Sequence, residues 1–194
     1  MQSPRNNLFP VFLKLSQLKV LIVGGGFVGQ EKLEALLKND PKAKVKIVGR
    51  EVSDPLIQLA AKNRNIQWVV KPFGPTDIDS TIDVVIAATD SREVNLRVRN
   101  AAKAKKLLVN VADTPDLCDF YLGSTVTKGQ LKIGISTNGQ SPTFAKRFRE
   151  LLEEALPEDT DELLKNLNHF RNRLKGDFAS KVSQLNELTS SLIK

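Results

Sequence analysis

A glycine-rich turn, placed directly after an apolar run, limits the fold of this chain more than any other feature. Residues 20–23 are apolar, and glycines follow as G-x-G-x-x-G at Gly24, Gly26 and Gly29. In a dinucleotide-binding turn the first glycine allows a tight bend, the second lets backbone N–H groups approach a pyrophosphate, and the third lets the next helix pack on the strand. A helix over residues 30–38 would point its positive N-terminal end at the phosphates. The motif predicts nucleotide binding, with a plain structural turn as the alternative.

Apolar strands alternate with helical segments through the first 111 residues. Strands that are apolar on both faces and alternate with helices predict a parallel sheet covered on both sides. A ligand should then bind at the carboxyl ends of the strands, near the point where strand order reverses. Residues 8–13, which Pro10 interrupts, are predicted as an edge element. The predicted strands are residues 20–23, 45–48, 67–70, 83–88 and 107–111, and further helices cover residues 56–62 and 93–105.

The pattern changes after about Cys118. A β-hairpin is predicted next, and a hairpin is only marginally stable unless it packs on another element. A polar loop then leads into a helix, with Ser141 as its N-terminal cap and Pro142 in its first turn. The predicted elements are a hairpin of residues 124–127 and 131–136, a helix over residues 143–156, and helices from residue 160 onward.

The charge of the chain is basic and unevenly distributed. The net charge is +7, with an excess of +9 before Leu151 and a balance of −2 from Leu151 onward. A basic excess suits an acidic small molecule, a nucleic acid or an anionic membrane. The sequence lacks the dense Lys/Arg run with interleaved aromatic residues that is typical of nucleic-acid surfaces. A polyanionic small molecule is therefore favoured, and nucleic acid is not expected.

The single cysteine, Cys118, offers neither an internal disulfide nor a metal cluster. No apolar run reaches the roughly 18–20 residues that span a bilayer. The first seven residues lack the apolar core of a signal peptide. These features predict a cytoplasmic protein with no membrane partner and no metal site.

Four segments occur together in the order and spacing of one family: the glycine turn, Ala87-Ala88-Thr89-Asp90, Asn110-Val111-Ala112-Asp113, and the polar loop before Ser141-Pro142. With them the chain resembles, from about Leu8 to Leu156, the NAD-dependent precorrin-2 dehydrogenases of siroheme synthesis. The resemblance implies an α/β fold, in which a Rossmann-type parallel sheet precedes a small α+β dimerisation domain and a C-terminal helical domain. The implied domains are residues 1–117, 118–150 and 151–194, and a homodimer formed through exchanged strands is expected.

The resemblance also implies an activity, the oxidation of precorrin-2 to sirohydrochlorin with hydride transfer to NAD⁺. Precorrin-2 is an octacarboxylate, which suits the basic excess before Leu151. Its oxidation also releases a proton, so a base is needed, and the family's catalytic aspartate matches Asp113. From the residues alone, an aspartate before Thr-Pro is more often a turn residue, but its position at the carboxyl edge of the predicted sheet favours a function. His169, the only histidine, lies in the helical tail and is not expected to act as the base.

The residues expected to bind NAD lie in three places along the chain. Glu51 follows the second predicted strand and could reach the ribose hydroxyls, but the neighbouring Arg50 could instead hold the 2′-phosphate of NADP. Asp90 could be a helix cap instead of a cofactor ligand. The complete set of candidate cofactor residues is Gly24, Gly26, Phe27, Val28, Arg50, Glu51, Thr89 and Asp90.

The resemblance places the polar loop of residues 136–142 at the tetrapyrrole. Hydroxyls, backbone N–H groups and a helix start can together bind carboxylates. Basic residues on the following helix could also reach the substrate, although a solvated helix face explains them as well. Asn95 and Arg97 are weaker candidates. The candidate substrate residues are Ser136, Thr137, Asn138, Ser141, Lys146 and Arg149.

Two further functions remain open from the sequence. Some family members also insert iron into sirohydrochlorin, and this chelation is expected to reuse the same pocket and aspartate. Alternatively, the chain could be a regulatory domain that senses NAD without turnover. A sensor needs no base at the edge of the sheet, so Asp113 favours an enzyme.

Overall fold

The computed structural model describes residues 5–190, which form two compact units. One unit comprises residues 11–122, and the other joins the segment before Val11 to the chain from Gly123 onward. The division into three domains that the sequence predicts stays a prediction. No helix among the described residues is both long and apolar enough to cross a bilayer.

Residues 11–122 form a five-stranded parallel sheet with helices on its faces. The strand order is β3-β2-β1-β4-β5, so strand order reverses between β1 and β4, as the sequence predicted for a Rossmann-type fold. The elements of this unit are β1 (Lys19–Gly25), α1 (Phe27–Asn39), β2 (Lys44–Val52), α2 (Asp54–Ala61), β3 (Ile66–Val70), β4 (Val84–Ala87), α3 (Arg92–Ala104) and β5 (Leu108–Val111).

Two hydrophobic clusters cover the two faces of this sheet. Alternate residues of β1 face opposite sides, so that Val20 and Ile22 pack with residues of α1 and α2, whereas Leu21 and Val23 pack with residues of α3. Full burial of one such side chain contributes about 1.5–3 kcal/mol. The expectation of a sheet apolar on both faces is confirmed for the central strands.

Three local expectations differ from the structure. Residues 5–14 contain no strand, so the predicted edge element at residues 8–13 is wrong; Pro10 cannot donate a backbone hydrogen bond to a sheet. Strand β2 extends to Val52 and includes residues 49–51, which were expected to follow it. Helix α1 begins at Phe27, directly after the central glycine of the motif and three residues earlier than predicted.

The connection from β3 to β4 contains only a short 3-10 turn (Pro75–Asp77) and is held by a buried carboxylate. Asp77 is 3% exposed, and its carboxylate lies 2.7 Å from the Lys71 ammonium group and accepts a hydrogen bond from the Gly74 N–H over 2.9 Å. Lys46, in β2, donates to the Asp77 carbonyl oxygen over 3.0 Å. Burial alone would raise the pKa of Asp77, but these positive charges and hydrogen bonds lower it below the ordinary value of 3.8.

The second unit consists of a hairpin and three helices. The hairpin is formed by β6 (Ser124–Lys128) and β7 (Leu131–Ile135), and α4 (Pro142–Ala155), α5 (Thr160–Arg173) and α6 (Phe178–Leu188) follow. Helix α4 packs on β6 and α5 packs on β7, which supplies the support that an isolated hairpin lacks. The Ser141 hydroxyl accepts a hydrogen bond from the Phe144 N–H over 3.1 Å, so the predicted cap is confirmed.

We predict that Asp77→Asn lowers the free energy of unfolding by about 1–3 kcal/mol at pH 7, because it removes the charge that balances two lysines. The pKa of Asp77 is depressed in the folded state, so its contribution is complete above the unfolded value of 3.8 and is lost as the pH falls through the folded value. Urea unfolding between pH 7 and pH 2 should therefore show a weaker pH dependence in the variant. Asp79→Asn is the control, because its side chain is 44% exposed; an equal loss in both variants would contradict the prediction.

Candidate functional site

The three motif glycines have different surroundings. A side chain at Gly24 would collide with the carbonyl group of Ala88, after β4, and Gly24 has a φ of +125° that side-chain-bearing residues rarely adopt. A side chain at Gly29 would collide with the carbonyl oxygen of Gly24. By contrast, nothing lies within 4 Å of the place that a side chain at Gly26 would occupy. Gly24 and Gly29 therefore allow close packing, and Gly26 leaves an open space.

That open space adjoins the start of α1. Gly26 precedes the helix, and the first bond within the helix runs from the Gln30 N–H to the Gly26 carbonyl oxygen over 3.0 Å. The N–H groups of the first helical turn have no partner within a helix and carry its partial positive charge. Phe27 is 78% exposed, whereas Val28 packs on the core, so Val28 can serve a ligand through its backbone. This arrangement can bind an anionic group.

The loop after β4 lies beside the glycine turn and is held by a buried asparagine. Asn95 is 5% exposed, and its side-chain oxygen accepts hydrogen bonds from the Thr89 N–H over 3.1 Å and the Thr89 hydroxyl over 2.7 Å. Its amide nitrogen donates to the Thr89 carbonyl oxygen over 2.9 Å. Asn95 therefore positions the loop from behind. In the sequence, Asn95 lies three residues before Val98 and seven before Ala102, which is the spacing of one buried helix face. This spacing could have predicted that Asn95 is buried.

Asp90 is exposed in the same loop and does not cap α3. The cap is Ser91, whose hydroxyl accepts a hydrogen bond from the Val94 N–H over 3.3 Å. The alternative interpretation of Asp90 as a helix cap is therefore wrong, because the helix begins one residue later than that interpretation requires. Arg97 is exposed on α3.

The end of β2 packs against the glycine turn. The Ser53 N–H donates to the Gly25 carbonyl oxygen over 2.9 Å, and the Glu51 carbonyl group lies where a side chain at Gly25 would fall. The side chains of Arg50 and Glu51 are both exposed. Either can therefore reach a ligand, and the choice between ribose hydroxyls and a 2′-phosphate stays open.

Asp113 lies in the turn after β5. The Ala112 N–H donates to the Ala87 carbonyl oxygen over 2.9 Å, which places this turn beside the end of β4, at the same edge of the sheet as the glycine turn. Asp113 has a φ of +55° and is exposed. Among residues 5–190, no hydrogen bond or ion pair occupies its carboxylate. Asp113 is thus a turn residue whose carboxylate has no partner among the described residues. Its position is compatible with both interpretations of the sequence, a turn residue and a catalytic base.

The candidate substrate residues belong to the second unit. Thr137 and Ser141 close the polar loop on itself, since the Thr137 hydroxyl accepts from the Ser141 N–H and donates to the Ser141 carbonyl oxygen, both over 3.2 Å. Asn138 has a φ of +52°, and its N–H donates to the Ser136 hydroxyl over 3.2 Å. The loop is therefore internally ordered.

The two basic candidates on α4 differ in exposure. Lys146 is exposed, whereas the Arg149 side chain is 25% exposed. The Nε atom of Arg149 is buried and has no hydrogen-bond partner among the described residues, and the closest Arg149–Glu153 approach is 4.0 Å. Among residues 5–190, no group of three or more His, Cys, Asp or Glu residues could hold a metal ion.

Together, the strand order, the open Gly26 and the uncovered start of α1 define a dinucleotide-binding domain of the Rossmann type. Residues 11–124 match the family model described as putative NAD(P)-binding, and the chain belongs to this family. Residues 128–155 match the model described as the central part of sirohaem biosynthesis proteins. Both matches confirm the resemblance to the siroheme-synthesis family.

Comparison with individual proteins supports the same family. The chain is 37% identical over 171 residues to siroheme synthase 1 of Pectobacterium atrosepticum, which covers 87% of this chain and 34% of that protein. It is 33% identical over 174 residues to siroheme synthase of Neisseria meningitidis serogroup C, covering 90% and 35%. The chain thus spans about a third of the length of these relatives. A solved structure named SirC, precorrin-2 dehydrogenase, is similar with a TM-score of 0.72 and 27% identity, over 93% of this chain and 89% of that one.

We predict that Gly26→Ala impairs NAD⁺ binding, whereas Gly24→Ala impairs stability. Gly26→Ala should leave the unfolding temperature close to that of the wild type and weaken NAD⁺ binding at least about tenfold, because its methyl group enters the space that the pyrophosphate needs. Gly24→Ala should instead destabilise the fold, because its methyl group meets the Ala88 carbonyl group. Calorimetric titration with NAD⁺ and thermal unfolding measure the two effects. Unchanged NAD⁺ affinity in folded Gly26→Ala would exclude this turn as the cofactor site.

Proposed function

We propose that this chain is an NAD-dependent precorrin-2 dehydrogenase that oxidises precorrin-2 to sirohydrochlorin in siroheme synthesis. The observation that carries the proposal is the Asp113 carboxylate, which has no partner among the described residues and lies at the same sheet edge as the open glycine turn. The likeness to the precorrin-2 dehydrogenase SirC, which extends over 93% of the chain, supports it. The excess of nine positive charges before Leu151 suits a substrate with many carboxylates.

The residues of the glycine turn fit a bound dinucleotide. The open space at Gly26 and the N–H groups of Phe27 and Val28 would hold the pyrophosphate, and the Thr89–Asp90 loop, in which Asp90 is exposed, would lie along the cofactor. When bound, NAD⁺ supplies the hydride acceptor. We propose NAD⁺ as the physiological cofactor, with Glu51 on the ribose; preference for NADP⁺, lost in Arg50→Ala, would reverse this assignment.

Asp113 is the proposed base. Oxidation of precorrin-2 removes a hydride and a proton, and the Asp113 carboxylate would take the proton. A carboxylate with no partner among the described residues is available for this step. The proposed ligands of the substrate carboxylates are Ser136, Thr137, Asn138, Ser141, Lys146 and Arg149.

We predict that Asp113→Asn lowers turnover at least about a hundredfold and leaves NAD⁺ affinity unchanged, because the amide cannot accept a proton. Asparagine tolerates the left-handed backbone conformation of this position, so the turn should persist. Asp116→Asn, at an exposed site in the same loop, is the matched control and should retain turnover. The readouts are the absorbance of sirohydrochlorin and NADH from precorrin-2 and NAD⁺. Retained turnover in Asp113→Asn would remove Asp113 from the mechanism.

The same assay separates an enzyme from a sensor. Wild-type protein that binds NAD⁺ but forms neither sirohydrochlorin nor NADH would favour the sensing domain and overturn the proposed activity. Iron insertion is the second candidate, which the name siroheme synthase of the similar proteins favours. In that reaction ferrous ion is a substrate, and metallation of sirohydrochlorin faster than the uncatalysed control would establish it.

We also propose that the protein is a cytoplasmic homodimer. Helix α4 carries an exposed apolar stripe of Phe144, Phe148 and Leu151, which are 59%, 38% and 56% exposed. The spacing of these residues places them on one side of the helix, and such a stripe is typical of an interface. Light scattering coupled to size-exclusion chromatography should give twice the mass of one chain; a monomer at micromolar concentration would contradict the dimer.

A further inference from the structure

The Cys118 thiol lies inside the turn that presents Asp113. The Val111 N–H donates to the sulfur over 3.2 Å, and the S–H group faces the carbonyl oxygens of Val111 at 3.2 Å and Thr114 at 3.4 Å. Val111 and Thr114 flank the two residues Ala112 and Asp113. One sulfur atom therefore joins the start of the turn to its end.

A second side chain holds the sulfur from the strand. Asn110, in β5, is 7% exposed, and its amide nitrogen donates to the Phe120 carbonyl oxygen over 2.9 Å and to the Cys118 sulfur over 3.5 Å. A buried amide is costly unless it is hydrogen-bonded, so these contacts favour one position of the chain after the turn. Strand β5 lies at the edge of the sheet, and this returning segment covers its outer side.

The backbone of Asp113 needs such support. A left-handed conformation is unfavourable for a residue other than glycine, although aspartate and asparagine tolerate it better than most. Asp113 has this conformation with a φ of +55°. Its carboxylate has no partner among residues 5–190, so the turn, held by the sulfur, determines where the carboxylate lies.

The thiol remains protonated at neutral pH. Burial raises the pKa of Cys118, which outweighs the opposite effect of the Val111 N–H, and the nearby Asp119 charge raises it further. A protonated thiol can donate and accept a hydrogen bond at once, whereas a thiolate can only accept. Both functions are used in this turn.

We propose that Cys118 is a positioning residue for the reaction: its thiol holds the turn from Val111 to Thr114 in the conformation that directs the Asp113 carboxylate. This inference rests on the proposed function, in which Asp113 is the base. Cys118 acts through Asp113 and does not itself touch the substrate.

Kinetics of three variants test the proposal. Cys118→Ala should lower kcat with precorrin-2 by about tenfold to a hundredfold, because a displacement of about 1 Å at a reacting group has effects of this size. KM for NAD⁺ should not change. Cys118→Ser keeps a donor and an acceptor, so its kcat should lie above that of Cys118→Ala.

Asp119→Ala is the matched control. It removes contacts to Val109 at 3.0 Å and Lys103 at 2.9 Å in the same segment without touching the turn. Its kcat should stay within about twofold of the wild type.

A double variant tests whether Cys118 acts through Asp113. In the Asp113→Asn background, Cys118→Ala should cause no further loss of kcat, since residues that act as a unit are not additive. A further loss in that background would overturn the proposal. An unchanged kcat in Cys118→Ala would also overturn it. The same holds if the decreases in kcat of Cys118→Ala and Asp119→Ala are proportional to their decreases in unfolding temperature.

An NMR measurement keeps this result separate from the proposed function. If the wild type gives no turnover, the dehydrogenase activity is refuted, and so is any role of the turn in that reaction. The three-bond coupling between the amide and α protons of Asp113, which depends on φ, then shows whether Cys118 fixes the backbone conformation of Asp113. Cys118→Ala should shift this coupling and the resonances of residues 112–114, whereas Cys118→Ser should not; an unchanged coupling in Cys118→Ala would overturn the positioning role on its own.

Discussion

The close approach of the glycine turn to the end of β4 determines the geometry of the sheet edge. At Gly24 one backbone lies directly against another, with the Ala88 carbonyl group where a side chain would be. The Ala88 N–H completes this contact by donating to the Val23 carbonyl oxygen over 2.7 Å. Because Gly29 in turn brings α1 onto the Gly24 carbonyl group, the start of the helix and the loop after β4 are brought to one place. Close packing at two glycines thus leaves the third, Gly26, facing open space.

The loops at this edge share a second physical feature. The loop after β4 and the turn after β5 are each held from behind by a buried or half-buried polar side chain whose hydrogen-bonding groups are used by the backbone. Asn95 binds the loop at Thr89, and Cys118 binds the turn at Asp113. A buried polar group without a partner is costly, so such contacts favour one loop conformation over its alternatives. The exposed side chains Asp90 and Asp113 therefore lie on ordered turns and have no hydrogen-bond partner in the part of the chain that the structure describes.

Local signals in the sequence predicted the parts of this structure that depend on local interactions. The glycine spacing predicted the turn between β1 and α1, and Ser141-Pro142 predicted the capped start of α4. The end of β2 and the absence of a strand at residues 8–13 depend on pairing with distant strands, which a single segment does not reveal. The roles of Asn95 and Cys118 were missed for the same reason, because hydrogen-bond partners in another part of the fold decide what a polar side chain does. Asp113 became a candidate only because a family resemblance added information to an ordinary Asp-Thr-Pro turn.

The conformation of Asp113 favours catalysis over simple cofactor binding. A domain that only binds a dinucleotide needs the open glycine and the uncovered helix start, and neither depends on the turn after β5. That turn nevertheless holds a residue in the left-handed region, supported by a thiol and backed by a buried asparagine in the strand. Strained conformations persist only when the surrounding structure over-determines them, and they cluster where the direction of a side chain matters. The contacts that fix this turn therefore favour the proposed role of Asp113 as a proton acceptor, because a sensing domain would not require them.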